Sequence, residues 1–109
     1  MAERFSTYAQ FWPHYLREHG RPATRRIHFA GTAVAIALLI AGIVTADRWL
    51  LPAALVAGYA PAWLAHGLVE RNRPATFQYP LWSFISDFRM FGLWLSGRLD
   101  AELRRAGVG

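Results

Sequence analysis

Two stretches without a charged residue, Ile27–Ala46 and Trp49–Val69, fill the middle of the chain and run for 20 and 21 residues. At about 1.5 Å of rise per residue, a helix of either length crosses a hydrocarbon core of roughly 30 Å. Only Asp47 and Arg48 separate them, so the spacing predicts an antiparallel helical hairpin that turns at this dipeptide. A soluble bundle is the competing architecture, but a chain of 109 residues has little left with which to cover two helices that are apolar all round. The expected fold is all-α: an integral membrane helical bundle in which a two-helix transmembrane hairpin is joined by N-terminal and interfacial C-terminal helices, one domain over residues 1–109.

Charge is scarce and one-sided. Charged residues make up 17% of the chain against 54% hydrophobic ones, where about 25% charged is usual for a soluble domain. The net charge of +5 rests on arginine alone, with no lysine. A nucleic-acid-binding chain would gather such charge on one polar face. Here Arg17, Arg21, Arg25 and Arg26 precede the first apolar run, Arg71 and Arg73 follow the second, and Arg98, Arg104 and Arg105 lie near the C-terminus. No nucleic acid partner is expected. The positive-inside rule instead puts both termini on the cytoplasmic side of a membrane such as the bacterial inner membrane. The first run begins only at residue 27, after an amphipathic segment, and is expected to be mature structure and not a cleaved leader. The lack of cysteine excludes disulfides, thiolate zinc sites, iron–sulfur clusters and cysteine nucleophiles, and the lack of lysine excludes Schiff-base chemistry.

The flanks also read as helical. Thr7-Tyr8-Ala9-Gln10 fits a capping box. Pro13 either kinks the helix that follows or opens a new one reaching His19, with Gly20 as its stop. Arg21–Thr24 is a short linker in which Thr24 caps the first long helix. Gly31, Ala35 and Gly42 form a small-residue stripe for close helix approach. Gly58 and Pro61 predict a kink before His66, and Pro74 ends the second long helix. Pro80–Leu95 is apolar but short and contains Asp87 and Arg89, which predicts an interfacial or re-entrant helix with Ser83, Ser86 and Asp87 as a polar stripe. Asp87 is expected to pair with a neighbouring arginine, the alternative being an additional polar group beneath the histidines. Leu99–Arg105 is a short amphipathic tail.

Ionisable residues inside membrane segments are candidates for function. Counted from the turn midpoint at 47.5, His28 lies 19.5 residues back and His66 lies 18.5 forward, a depth difference of about 1.5 Å in an antiparallel hairpin. Glu70 follows His66 at i+4 on the same face, and His19 precedes the hairpin by a short linker. Three histidines and a carboxylate at one level, in a chain without thiols, suit Fe(II), Mn(II) or Zn(II) alike. Each also has a plainer role: His28 and His66 as interfacial side chains bonded to carbonyls, Glu70 as the ion-pair partner of Arg25. His14 is expected at the surface.

The segments Phe11-Trp12-Pro13-His14-Tyr15-Leu16-Arg17-Glu18-His19, Arg25-Arg26-Ile27-His28-Phe29-Ala30-Gly31-Thr32 and Trp63-Leu64-Ala65-His66-Gly67-Leu68-Val69-Glu70-Arg71-Asn72-Arg73-Pro74 carry the ordered patterns Y-x3-H, R-x2-H and H-x3-E-x3-P. Together they resemble a family of small membrane proteins, long catalogued as of unknown function, whose fungal members are iron-dependent 2-hydroxy fatty acid dioxygenases of fatty acid alpha-oxidation. The resemblance covers nearly the whole chain. It implies Fe(2+) as cofactor, His19, His28, His66 and Glu70 as metal ligands with Glu70 also catalytic, O2 as co-substrate, and a fatty acyl substrate or membrane lipid as partner. It further implies that Arg25, Arg26 or Arg73 holds the substrate carboxylate. Ala65 stands where many relatives place glycine, and Thr24 where asparagine is common. The alternative function is a non-catalytic membrane protein that binds metal or lipid head groups.

Overall fold

The computed structural model describes residues 5–74 and 77–108, and the regular elements among them are helices: α1 (Tyr8–Arg17), α2 (Pro22–Thr45), α3 (Leu50–Ala65), α4 (Pro80–Leu95) and α5 (Leu99–Arg105), with a π-helical turn, His66–Glu70, continuing directly from α3. The chain divides into two compact units, Arg21–Arg73 and a second made from both chain ends, Met1–Gly20 with Pro74–Gly109.

The first unit is the antiparallel hairpin. A Cβ placed on Gly31 would lie 2.9 Å from the Ala57 carbonyl oxygen, one on Gly58 would lie 3.5 Å from the Ala35 Cβ, and one on Gly42 would lie 3.2 Å from the Leu50 Cβ. The Gly31 end of α2 meets Ala57, Gly58 and Pro61 while its Gly42 end meets Leu50 and Leu51, so the two helices are opposed, and the contacts fall on the small-residue stripe expected from the sequence. At position 31 any side chain would collide with backbone, so glycine sets the distance between the helices there. The turn is closed at the expected place. Asp47 N–H donates to the Gly42 carbonyl at 3.0 Å and Ala46 N–H to that of Ile43 at 3.4 Å, with Ala46 left-handed at φ 56°, the Schellman pairing. The Asp47 carboxylate then accepts Trp49 N–H at 3.0 Å.

Two boundaries of the hairpin differ from expectation. α2 starts at Pro22, not after Thr24, because proline suits the first helical position where its missing N–H is no loss. Its capping residue Arg21 has no side-chain cap, and the Arg21 N–H donates instead to the Glu70 carboxylate. The second long helix ends at Glu70, ahead of Pro74. Arg71 turns left-handed at φ 60°, and the N–H groups of both Arg71 and Asn72 reach the His66 carbonyl. Pro61 sits inside α3, and the departure from α-helical geometry comes one turn later, in the π-helical turn.

α2 is long and apolar enough to cross a membrane by length and composition, with a mean hydropathy of 2.3 over its best 18-residue window, of which only 28% is buried. Val34, Ile40, Ile43 and Val44 on α2, and Leu55, Val56 and Leu64 on α3, expose half or more of their surface.

The second unit packs α1 with α4 and α5 around Phe11, Tyr15, Leu16, Met90, Leu99 and Leu103, all buried. Thr7 caps α1 by accepting the Gln10 N–H at 3.3 Å, and the Gln10 amide reaches back to the Ser6 N–H at 3.1 Å, a capping box shifted outward by one residue. α1 runs unbroken through Pro13 and stops at Arg17, two residues short of His19. The polar face of α4 turns inward: Ser83 and Ser86 are buried, and Ser86 bonds the Tyr8 hydroxyl at 2.8 Å. Arg89 lies 4.0 Å from the Trp12 ring centroid and 3.5 Å from the Glu102 carboxylate, which also accepts the Trp12 indole N–H at 3.1 Å. These contacts occupy Arg89, the arginine nearest Asp87 in sequence.

Candidate metal centre

Within the hairpin unit the rings of His28 and His66 stand edge to face with centroids 5.8 Å apart, and both residues are at least 96% buried. This is the equal depth predicted from their distances to the turn. The π-helical turn positions His66. Its Nδ1 lies 2.6 Å from the Asn72 amide oxygen, and because that oxygen only accepts, Nδ1 carries the proton and the lone pair lies on Nε2. An oxygen acceptor on one imidazole nitrogen, with the other left basic, is how metal-binding histidines are held.

His19 is held in the same way in its own unit. Its Nδ1 donates to the Tyr15 carbonyl at 2.7 Å, one helical turn back, and its ring lies 4.2 Å from the Tyr15 ring. Three buried histidines, His19, His28 and His66, are thus residues that can hold a metal ion. Three imidazole donors without a thiolate fit the mid-row divalent metals.

The remaining sequence candidates lie as follows. One Glu70 oxygen accepts the Arg21 N–H, which caps α2 from 49 residues away. Arg25 is partly buried on the second turn of α2, whereas Arg26 and Arg73 are exposed. His14 points outward as expected and pairs with Glu18 at 3.2 Å.

Asp87 meets a hydroxyl. The Tyr15 hydroxyl donates to Asp87 Oδ1 at 2.5 Å, so the tyrosine that orients His19 through its carbonyl is itself anchored through its ring. Burial raises the Asp87 carboxyl from 3.8 to about 7, outweighing the lowering by the Tyr15 bond. With the folded value raised, the stabilisation is present below about pH 4 and is lost as pH rises through 7. Asp87→Asn keeps an oxygen for Tyr15 but cannot ionise. Thermal unfolding in detergent is expected to show the variant more stable than wild type at pH 8, by on the order of 1–2 kcal/mol, with a flatter pH profile. Parallel profiles would show that Asp87 does not titrate in this range.

Asn72 and Tyr15, the partners of two histidines, were not singled out by periodicity. The available signal for Asn72 was its place six residues after His66, just before Pro74, where an α-helix is already ending.

A sequence model of the family described as 2-hydroxy-palmitic acid dioxygenase Mpo1-like matches residues 5–99. The chain belongs to that family. No curated protein and no solved structure matches it. The family match spans all three histidines and both partners, Tyr15 and Asn72.

Proposed function

We propose that this protein is an Fe(II)-dependent dioxygenase that shortens 2-hydroxy fatty acids by one carbon. The observation that carries the reading is the buried His28–His66 pair, with the His66 tautomer set by Asn72, in a chain of a family described as 2-hydroxy-palmitic acid dioxygenase-like. His19, His28 and His66 hold the metal through neutral imidazole nitrogens. Fe(II) bound there supplies O2 activation and open positions for a chelating substrate.

The chain's own groups do the rest. Arg25, Arg26 and Arg73 bind the carboxylate, with the two exposed ones giving the acid its entry. Glu70 gives one lone pair to Arg21 N–H and keeps others on its carboxylate. With these it either joins the metal ligands or takes the proton of the substrate 2-hydroxyl. The acyl chain lies among apolar side chains of the hairpin, whose exposed Ile40, Ile43, Val44, Leu55 and Val56 face lipid. The hairpin crosses the membrane twice, with the arginine-rich ends on the cytoplasmic side.

The test uses detergent-purified protein with Fe(II) and O2. 2-Hydroxypalmitate is expected to yield the acid one carbon shorter by mass spectrometry, while palmitate, which lacks the second chelating oxygen, stays intact. Iron-loaded protein that consumes no oxygen with any 2-hydroxy acyl chain length would remove the assignment.

A further inference from the structure

Thr24 is the third residue of α2 and is fully buried, yet its hydroxyl oxygen has no hydrogen-bond partner; it is the sole buried side-chain polar atom in that condition among the described residues. A threonine inside a helix usually returns its hydroxyl to the carbonyl one turn back. Leaving a buried hydroxyl unmatched is unfavourable, and valine would fill the same shape without that penalty. The location gives the polar atom a use. Thr24 and His28 are one turn apart at i and i+4, so they share a face of α2, and both are buried. The His28 ring in turn packs against His66. At the N-terminal end of the same helix the Arg21 N–H is already taken by Glu70.

We infer that the Thr24 hydroxyl recognises the 2-hydroxyl of the acid substrate, which rests on the dioxygenase reading above. In a 2-hydroxy acid the carboxylate and the hydroxyl sit on adjacent carbons. The carboxylate is matched by arginines that are exposed or only partly buried, whereas the group one carbon further in is matched by a neutral, fully buried hydroxyl on the histidine-bearing face. A hydroxyl both donates and accepts, so it pairs with the 2-hydroxyl in either direction, and an acid without that group leaves Thr24 unpaired. Sites built this way discriminate by rejecting the analogue that lacks the polar group.

The test compares equilibrium binding of 2-hydroxypalmitate and palmitate to detergent-purified protein, followed by tryptophan fluorescence, in wild type, Thr24→Val and Thr24→Ser. Metal content and apparent Tm are measured on the same samples. Wild type is expected to prefer the 2-hydroxy acid. Thr24→Val is expected to reduce that preference about 3- to 10-fold, the range of one neutral hydrogen bond, with palmitate affinity and metal content unchanged and Tm unchanged or higher. Thr24→Ser restores the preference. Thr24→Ala removes the hydroxyl a second way, so the outcome does not hang on one variant folding. A wild-type preference that survives both deletions overturns the role of Thr24 and leaves the dioxygenase reading standing. A wild type with no preference overturns both.

Discussion

His66→Ala is expected to leave the purified protein with less than about a tenth of the wild-type iron, because the two imidazoles remaining are too few donors to retain the ion through purification. His28→Ala is expected to do the same, since the two rings face each other 5.8 Å apart and neither has a substitute. His14→Ala is the matched control: its imidazole is partly exposed and pairs with Glu18, so iron content stays at the wild-type level. Elemental analysis of the three variants in detergent decides the matter. Equal iron in wild type and His66→Ala would dismiss the proposed site, and loss of iron in His14→Ala would redraw it.

Asn72→Ala is the second large effect and removes no proposed ligand. With the amide oxygen gone, His66 Nδ1 loses its acceptor at 2.6 Å, and both the tautomer that places the lone pair on Nε2 and the ring orientation are released. Removing such a partner typically weakens metal binding 10- to 100-fold. Competition with a chelator of known affinity measures the loss. Asn72→Asp keeps an oxygen in place and adds charge, so it is expected to retain iron at least as well as wild type. An Asn72→Ala variant as tight as wild type would mean that the π-helical turn holds His66 unaided.

Charge-free length was enough to anticipate the hairpin, because a long apolar helix has few alternatives. The bare count from Asp47-Arg48 brought His28 level with His66, since both arms are helical and a helix has a fixed rise. The bounds of α4 and α5 were legible to the residue, the one from its apolar run and the other from its short amphipathic pattern. What escaped was set by single contacts. Thr24 looks like a cap, yet the helix begins earlier, where Pro22 fits and a distant carboxylate meets the Arg21 N–H. Asp87 looks like the partner of an arginine; Arg89, the nearest in sequence, is drawn to Trp12 and Glu102, and the Asp87 carboxylate takes the Tyr15 hydroxyl. The π-helical turn has no periodic signature in five residues, and with it the role of Asn72 stayed hidden.

The bond from Arg21 N–H to Glu70 has a consequence for the order in which the protein matures. The N-terminal turn of α2 is synthesised 49 residues before the carboxylate that caps it, so on the ribosome this turn has no partner for its leading N–H and frays. It firms up only after both arms of the hairpin and the π-helical turn have been made. Thr24 and His28 lie on the first two turns of α2, so their surroundings are complete only once residue 70 has been made. Until then His28 also lacks the His66 ring against which it packs.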